Sequence, residues 1–255
     1  MLTAIISPVH RDLLYTEAME WFAKIRSVVL DAVYPPFCVA CGAHGIWWCD
    51  ACQTGTERVL RDPCPKCLCT DDAHHPFACT GDLPFSGVVV AGFYHNPSLR
   101  HVIHALKYQG VTATEQSVEA WLRDIRMTRN LAFPWQTETE LYIQPMPLAD
   151  ARERDRGFNQ AEWVADRMRC AWAPQACMAH TLSRLPSAMP QASIEDKALR
   201  RHNIRQDFIA TERVTHPVIL VDDVITTGST AAEAARALLR AGAPRVYAAA
   251  LALGA

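Results

Sequence analysis

Residues 218–230 read VILVDDVITTGST, and this stretch decides the fold. Its first four residues are all apolar, which predicts a strand buried on both faces, as in a parallel sheet. Asp222 and Asp223 stop that strand, and the segment from Thr226 to Thr230 places small hydroxyl-bearing residues around Gly228. A helix is predicted to begin immediately afterwards, over 231–241. The sequence therefore predicts an α/β protein with a parallel sheet and flanking helices.

The short turn between this strand and this helix has the features of a phosphate site. Free backbone N–H groups at a helix start, together with the positive end of the helix macrodipole, attract an anion. Gly228 lets the backbone approach that anion closely. Asp222 and Asp223 would repel a phosphate, but they can accept hydrogen bonds from sugar hydroxyls or hold Mg²⁺ through water. The alternative is an ordinary doubly wound α/β protein with an acidic strand end, such as a receiver or hydrolase-like domain.

The same stretch resembles the phosphoribosyl pyrophosphate (PRPP) loop of type I phosphoribosyltransferases at every position of 218–230. The resemblance implies that Asp222 and Asp223 hold the ribose 2′- and 3′-hydroxyls of PRPP. It also implies that the turn cradles the 5′-phosphate, through Thr226, Thr227, Gly228, Ser229 and Thr230.

The whole chain has 255 residues, enough to bury one full α/β core and carry a small extra module. Half of its residues are hydrophobic and its formal net charge is -2, so the bulk composition does not indicate a nucleic-acid partner. No apolar run approaches the roughly 20 residues of a transmembrane helix. The first ten residues lack the pattern of a signal peptide. We therefore expect a cytoplasmic protein with no membrane insertion.

Eight of the ten cysteines lie between Cys38 and Cys79. In a cytosolic protein such a cluster is more typical of metal ligands than of disulfides. The first four form two C-x2-C pairs, the spacing of a zinc knuckle: Cys38 with Cys41, and Cys49 with Cys52. Four thiolates with no open position predict a structural rather than a catalytic Zn²⁺. The alternative is a set of free thiols.

A second metal site is predicted from Cys64, Cys67 and Cys79. The first two form another knuckle, and Cys79 is the natural third ligand. If a second pair followed the C-x2-C rule, the fourth ligand would fall at Asp82, although aspartate is less common in structural zinc sites. The other options for the fourth ligand are Cys69, His74 and His75. The sequence thus supports one structural Zn²⁺ and leaves room for a second.

Helical periodicity is clear in two places. Apolar residues at three- and four-residue spacing predict an amphipathic helix from about Asp12 to Val33. We expect it to pack on the rest of the protein, with partner binding as the alternative. A second helix is predicted to begin at Asn96-Pro97, after a strand at 88–93, and to close near Lys107.

Arginines precede a further predicted helix, which runs through residues 161–172. The segment 152–160 reads RERDRGFNQ and follows a short strand. Guanidinium groups and backbone N–H groups ahead of a helix suit a pyrophosphate, which we assign to Arg154, Arg156 and Gly157. Because acidic residues alternate with these arginines, an ordinary solvated charged loop is the alternative. The polar segment 180–210 is either a mobile cover over the site or a surface segment, and 246–253 makes a final apolar strand.

Several motifs, in this order, are similar to those of the ComF family, a group of bacterial competence-related proteins. They are the cysteine pairs, IHALKY at 103–108, RGFNQ at 156–160, RRHN at 200–203 and VDDVITTGST at 221–230. The resemblance covers the chain from about residue 27 onward, and Asp82 stands where the family pattern has a cysteine. It implies a zinc-ribbon module, assigned to 35–83, and a type I phosphoribosyltransferase domain, assigned to 84–255. It also implies a role in handling incoming single-stranded DNA during natural transformation. The predicted N-terminal helix adds a helical extension at 1–34.

The resemblance also implies a reaction, the displacement of pyrophosphate from C1 of Mg²⁺-bound PRPP by a nitrogen nucleophile. The transition state resembles a ribosyl oxocarbenium ion, so positioning and electrostatics supply most of the catalysis. Asp222 and Asp223 would bind the ribose, and Lys107 and Arg201 are further candidates for leaving-group or lid contacts. The acceptor pocket would be built by the cysteine-rich module, by the 180–210 segment or by both.

A binding protein without enzymatic activity is the rival interpretation. Such a protein would keep the PRPP pocket as a sensor and act on single-stranded DNA or on a protein of the competence machinery. Aromatic residues near the cysteines could stack on bases, namely Phe37, Trp47, Trp48 and Phe77. The core of a small metal-bound module explains the same residues, and we favour that explanation.

Overall fold

A computed structural model describes residues 36–71, 79–108, 114–129, 132–148, 158–185 and 207–254. Several sequence predictions fall outside these ranges and stay predictions: the helix at 12–33, His74, His75, Phe77, Arg154, Arg156, Gly157 and Arg201. None of the helices in the described ranges has the length and apolar character of a membrane span.

Five parallel strands form the central sheet, as the sequence predicts. They are β1 (Gly87–Phe93), β2 (Leu141–Pro145), β3 (Ala176–Met178), β6 (Val218–Ile225) and β7 (Val246–Leu253), in the spatial order β1-β7-β6-β2-β3. A separate antiparallel pair joins β4 (Leu182–Arg184) to β5 (Phe208–Ala210). All eight residues of β7 are buried, because the strand lies inside the sheet with both of its faces covered.

Helices cover both faces of the sheet. The helices are α1 (Asp50–Thr54), α2 (Pro97–Tyr108), α3 (Glu115–Thr128), α4 (Gln160–Trp172) and α5 (Ser229–Arg240). Apolar residues of α2, α3 and α4 share one core with alternate strand residues such as Ile143 and Ile219. The other core joins α5 to the strand residues that point to the opposite face of the sheet, such as Leu220 and Ala248. This alternation with period two places each strand residue on one face, and it confirms the predicted α/β class.

The first cysteine segment packs on one corner of this core. Trp48 is fully buried, its indole N–H donates to Ser98 Oγ at 2.8 Å, and its ring meets Trp121 edge-on at 5.1 Å. The preference for a core role is therefore correct for Trp48, whereas Phe37 is 45% exposed. Further along the chain, the Val59 N–H donates to Ala91 O at 3.1 Å, so this segment lies along the outer edge of β1. An edge strand covered in this way cannot pair with another chain.

The predicted polar segment at 180–210 is only partly irregular. Its two ends form β4 and β5, which pair from Leu182↔Ala210 to Arg184↔Phe208. Phe208 is buried in the same core as α5. The ends of this segment are therefore anchored to the α5 side of the molecule.

Candidate functional site

The acidic pair lies in the carboxyl-terminal half of β6; the prediction that it stops the strand is wrong, because the ladder with β7 continues past it. Asp222 and Asp223 belong to the strand, and Ile225 is its last residue. The turn that follows leads directly into α5, whose N-cap is Gly228 with a φ of 74°. That left-handed conformation favours glycine. Gly228 has no side chain to cap α5, and the one side-chain contact given for its first turn is a long one, from the Ser229 N–H to Thr227 Oγ1 at 3.4 Å. The first turn therefore offers backbone N–H groups to an anion.

A cavity of about 330 Å³ opens beside this strand end. It is lined by the acidic pair, by the turn and first residues of α5 with the exception of Thr227, and by Lys107, Met146, Pro147, Leu148, Gln160, Ala161 and Arg184. From β2 the chain continues to β3, towards one edge of the sheet, and from β6 it continues to β7, towards the other edge. The adjacent strands β2 and β6 therefore flank a topological switch point, where open α/β sheets bind ligands.

Lys107 lies against the acidic pair, and its predicted contact with a leaving group or a lid stays a prediction. Its Nζ is 2.6 Å from Asp223 Oδ2 in an ion pair, with 24% and 13% of the two side chains exposed. Backbone N–H groups bind the two carboxylates locally: the Asp223 N–H donates to Asp222 Oδ1 at 2.8 Å, and the Val224 N–H donates to Asp223 Oδ1 at 2.9 Å. The carboxylates are thus held close together at the mouth of the cavity.

The Asp222 carboxyl group has a pKa above its ordinary value. Burial raises its pKa well above the ordinary value, and the negative charge of Asp223 raises it further. Lys107 lowers the same pKa, though its effect is smaller. Two carboxylates this close favour one shared proton unless a cation or a set of hydroxyl donors joins them.

Two polar residues of the cavity, Gln160 and Arg184, are absent from the predicted site. Gln160 begins α4 and is 3% exposed, and its Nε2 has no hydrogen-bond partner in the described part of the chain. Arg184 comes from β4, and its guanidinium lies 5.3 Å from the ring of Phe208. The motif RGFNQ contains Gln160, so its position in that motif was the available signal. Nothing in the local sequence around Arg184 marks it.

Asn159 sets the position of Gln160. Its side chain accepts a hydrogen bond from the Ala161 N–H at 3.0 Å, as an N-cap of α4, and donates to Met146 O at 3.0 Å. One amide therefore joins the start of α4 to the chain that leaves β2. Both of these elements line the cavity.

The first cysteine cluster contains all four predicted ligands, Cys38, Cys41, Cys49 and Cys52, with their Sγ atoms within 4.8 Å of one another. The Cys41 and Cys49 Sγ atoms are 3.7 Å apart. A tetrahedron with Zn–S bonds of about 2.3 Å has edges of about 3.8 Å, so the spacing fits zinc. Burial raises the pKa of the Cys38 thiol, but backbone N–H donors, led by that of Cys49, outweigh it and lower the pKa to about 6. This cluster can hold a structural zinc ion.

The second cluster contains Cys64, Cys67 and Cys79, again with their Sγ atoms within 4.8 Å of one another. Among the described residues, neither of the other two ligand options joins them. The Asp82 side chain is 93% exposed, with Oδ2 3.7 Å from Arg236 Nη2. The Cys69 Sγ accepts the Asp71 N–H at 3.4 Å. The three thiols can hold a zinc ion. Asp82, one of the options for the fourth ligand, is directed to solvent and away from them.

These features define a class: a parallel α/β protein with an acidic strand end and a glycine turn facing one cavity, preceded by two cysteine clusters of the zinc-binding type. No family model matches the chain. It is 31% identical to the DNA utilization protein YhgH of Salmonella typhimurium, over 78% of this chain and 86% of that protein. It is 29% identical to Competence protein F of Haemophilus influenzae, over 62% and 69% of the two chains. It is 28% identical to Competence protein ComFC of Bacillus subtilis, over 59% and 57%. The chain belongs to the ComF family.

Proposed function

We propose that this protein binds Mg²⁺-PRPP in the cavity at the carboxyl end of the sheet and transfers the phosphoribosyl group to a nitrogen nucleophile. The observation that carries the proposal is the meeting of three features at one switch point: the acidic pair, the Gly228 turn and the N-terminal end of α5. This combination suits a sugar that carries both hydroxyls and a 5′-phosphate. In the reaction the C1–O bond to pyrophosphate breaks, a C1–N bond forms, and the nucleophile loses its proton to solvent.

The proposal assigns a part to each predicted site residue. Asp222 and Asp223 accept hydrogen bonds from the ribose hydroxyls, and residues 226–230 bind the 5′-phosphate. Lys107 holds the Asp223 carboxylate in place through their 2.6 Å ion pair. The pyrophosphate is assigned to Arg154, Arg156 and Gly157, and a covering contact to Arg201. Mg²⁺ would be held by the pyrophosphate and, through water, by the acidic pair.

The cysteine clusters are proposed to be structural zinc sites that complete the 35–83 module, while residues 84–255 form the phosphoribosyltransferase-like domain. The names of the relatives, DNA utilization protein and Competence protein, support a role for this chain in the uptake or use of DNA. A second candidate function rests on those same names: binding of single-stranded DNA or of a competence protein, with PRPP acting only as a regulator.

A calorimetric titration with PRPP, with and without Mg²⁺, tests the proposed pocket. We expect the Asp222→Asn/Asp223→Asn double variant to bind PRPP at least about a hundredfold more weakly, because each hydrogen bond to a charged group contributes about 1.5–3 kcal/mol. The fold should survive, since asparagine removes the repulsion between two close carboxylates. Asp124→Asn is the matched control. Asp124 lies on α3, pairs with Arg58 and does not line the cavity.

Unchanged PRPP affinity in the double variant would contradict the assignment. The same protein should be titrated with single-stranded DNA at about 50 and 200 mM salt, because a binder that contacts several phosphates loses orders of magnitude over this range. Steep, salt-dependent DNA binding without any PRPP binding would replace the first proposal with the second.

A further inference from the structure

Leu68 has an unusual backbone conformation for a leucine. It follows Cys67 directly, and its φ of 64° makes it the one non-glycine residue with positive φ in the described part of the chain. Its N–H donates to Cys64 O at 2.8 Å, which closes the turn between the two cysteines. A left-handed conformation costs roughly 1–2 kcal/mol for a residue with a side chain. Glycine would avoid that cost, so the leucine side chain must contribute elsewhere.

The side chain of Leu68 packs on the turn that precedes α5. Leu68 is 7% exposed and belongs to the same core cluster as Ala231 and Ala232 in the first turn of α5. A Cβ atom placed on Gly228 would lie 2.9 Å from Leu68 Cδ1 and 3.2 Å from Leu83 Cδ1. The two leucines therefore rest directly on the Gly228 backbone, on the side of the turn where any residue other than glycine would carry a side chain.

The rest of the second cluster reinforces this contact. The Leu83 N–H donates to Lys66 O at 3.2 Å, which ties Leu83 to the residues between Cys64 and Cys67. Arg236, on α5, donates to Asp82 O at 3.3 Å. Three points of the cysteine module thus touch the turn and α5: Leu68, Leu83 and Asp82. Packed atoms thus connect the Cys64–Cys67–Cys79 cluster to the Gly228 turn.

We propose that Leu68 is a positioning residue for the phosphate turn, and that metal bound at Cys64, Cys67 and Cys79 sets the turn's affinity for a phosphate ester through Leu68. This inference rests on the proposed function, because the ligand of the turn is the 5′-phosphate of PRPP. The metal fixes Cys64 and Cys67 at the two ends of the tight turn that Leu68 closes. With that turn fixed, Leu68 holds the Gly228 backbone in its left-handed form and the α5 N–H groups ready for the anion. Without the metal, the turn samples other conformations, and the apparent affinity falls in proportion to the competent fraction.

Leu68→Gly is the decisive variant. Glycine keeps the positive φ at no steric cost, so the cysteine turn and its metal should remain, whereas the contact with Gly228 is lost. Leu60→Gly is the matched control, because Leu60 is a leucine of the same module that is 77% exposed. The full-length protein of each variant is titrated with PRPP and with ribose 5-phosphate by calorimetry, before and after removal of metal by a chelator. Metal content is measured by mass spectrometry at each step.

We expect chelation to weaken wild-type binding of both ligands about tenfold, which corresponds to a competent fraction of about one tenth. Leu68→Gly should retain its metal, bind about tenfold more weakly, and lose nothing further on chelation. Leu60→Gly should behave like the wild type. Binding by Leu68→Gly within twofold of the wild type, or an equal response of both variants to chelation, would overturn the inference.

Hydrogen exchange separates this inference from the proposed function. The Ala232 N–H donates to Gly228 O at 2.7 Å, so its protection from exchange reports the closed turn without any ligand. Its protection should fall in Leu68→Gly and in the chelated wild type. If the wild type binds no PRPP but this pattern holds, the proposed function fails and the coupling stands. If PRPP binds and protection does not change, the coupling fails alone. Should Leu68→Gly not fold, Leu83→Ala applies the same test to the second contact.

Discussion

The two ends of the central sheet carry cavities of different size and different chemistry. At the carboxyl end, about 330 Å³ is lined largely by acidic, basic and hydroxyl groups around β6 and α5. At the amino end, about 660 Å³ lies between the ends of α3 and α4 and the chain that enters β2. Its walls include three large aromatic residues, Phe133, Trp135 and Trp172. By volume alone, the amino-end cavity would be taken as the ligand site.

The charged groups of the amino-end cavity bind other parts of the protein. Arg129 Nη2 lies 2.7 Å from Asp62 Oδ1, which joins α3 to the segment along the β1 edge. Glu138 accepts a hydrogen bond from Tyr247 Oη at 2.6 Å and pairs with Arg245 at 2.7 Å. Burial and then Glu138 raise the pKa of Tyr247 to about 12, so it stays a donor. These pairs connect chain segments that are far apart in sequence.

The carboxyl-end cavity has the opposite balance. Its two carboxylates are adjacent and share one ammonium group, that of Lys107, and the N-cap of α5 is a glycine with no side chain to cap the helix. Two adjacent carboxylates cost stability and are retained where a ligand completes them. The comparison teaches that this concentration of like charge beside a helix start, rather than volume, identifies the site in this fold.

The largest effect that tests this comparison is expected from Arg129→Met. The Arg129 side chain is 3% exposed, and breaking a buried pair costs about 3–5 kcal/mol. Because Arg129 Nε and Nη1 lack hydrogen-bond partners among the described residues, methionine also removes two unsatisfied donors. We therefore expect a loss near the lower limit, about 3 kcal/mol, measured by urea unfolding. PRPP affinity should stay within twofold, and a larger loss of affinity would show that the two ends are not independent.

The next effect is a difference in pH dependence between the two ends. At the carboxyl end, the folded-state pKa of Asp222 is raised above its ordinary value of 3.8. Between these two values the folded protein binds more protons than the unfolded chain, so stability falls as pH rises through that window. Asp222→Asn removes this fall. A tenfold change in proton affinity is worth about 1.4 kcal/mol, so the variant should gain more than about 1 kcal/mol over the wild type between pH 4 and pH 7.

The contribution of Glu138 to stability should change with pH in the opposite direction. Its pKa is lowered below the ordinary 4.5, since the bonds from Arg245 and Tyr247 outweigh the effect of burial. Its contribution to stability is present above that value and is lost as pH falls through the folded-state pKa. Glu138→Gln should therefore be destabilised at pH 7 and approach the wild type near pH 3. Unfolding curves at several pH values measure the stability of both variants. If the two stability differences from the wild type changed with pH in the same direction, the assigned pKa directions would be refuted.

Much of the sheet and of the acidic site could be predicted because the signals are local. The apolar runs of β6 and β7, the N-cap pattern before α2 and the C-x2-C pairs each lie within a few consecutive residues. Helix α3 was not predicted, although Val118, Trp121, Leu122 and Ile125 have helical spacing and are all buried. Its periodic residues lie between the motifs at 103–108 and 156–160 and belong to neither.

The cavity walls show why the remainder could not be predicted. Arg184 reaches the site only because β4 pairs with β5 and the pair packs beside α5. Asp82 has the correct spacing for a metal ligand, yet it points to solvent, because spacing fixes sequence distance but not side-chain direction. The contact of Leu68 with Gly228 joins residues from separate motifs, and neither motif alone indicates it. The ligand roles of Arg154, Arg156, Gly157 and Arg201 stay predictions.

The smallest effect is expected from Arg126→Gln, which tests the amino-end cavity directly. Arg126 lines that cavity, and its Nη1 donates to Ala171 O at 2.9 Å, near the end of α4. A cation at a helix C-terminus contributes roughly 0.3–1 kcal/mol, so the variant should lose about 0.5 kcal/mol of stability. Because that guanidinium already serves the helix end, inorganic phosphate should bind wild type and variant equally in a calorimetric titration. Phosphate binding that weakens in Arg126→Gln but persists in Asp222→Asn/Asp223→Asn would make the larger cavity an anion site, and the contrast between the two ends would then be wrong.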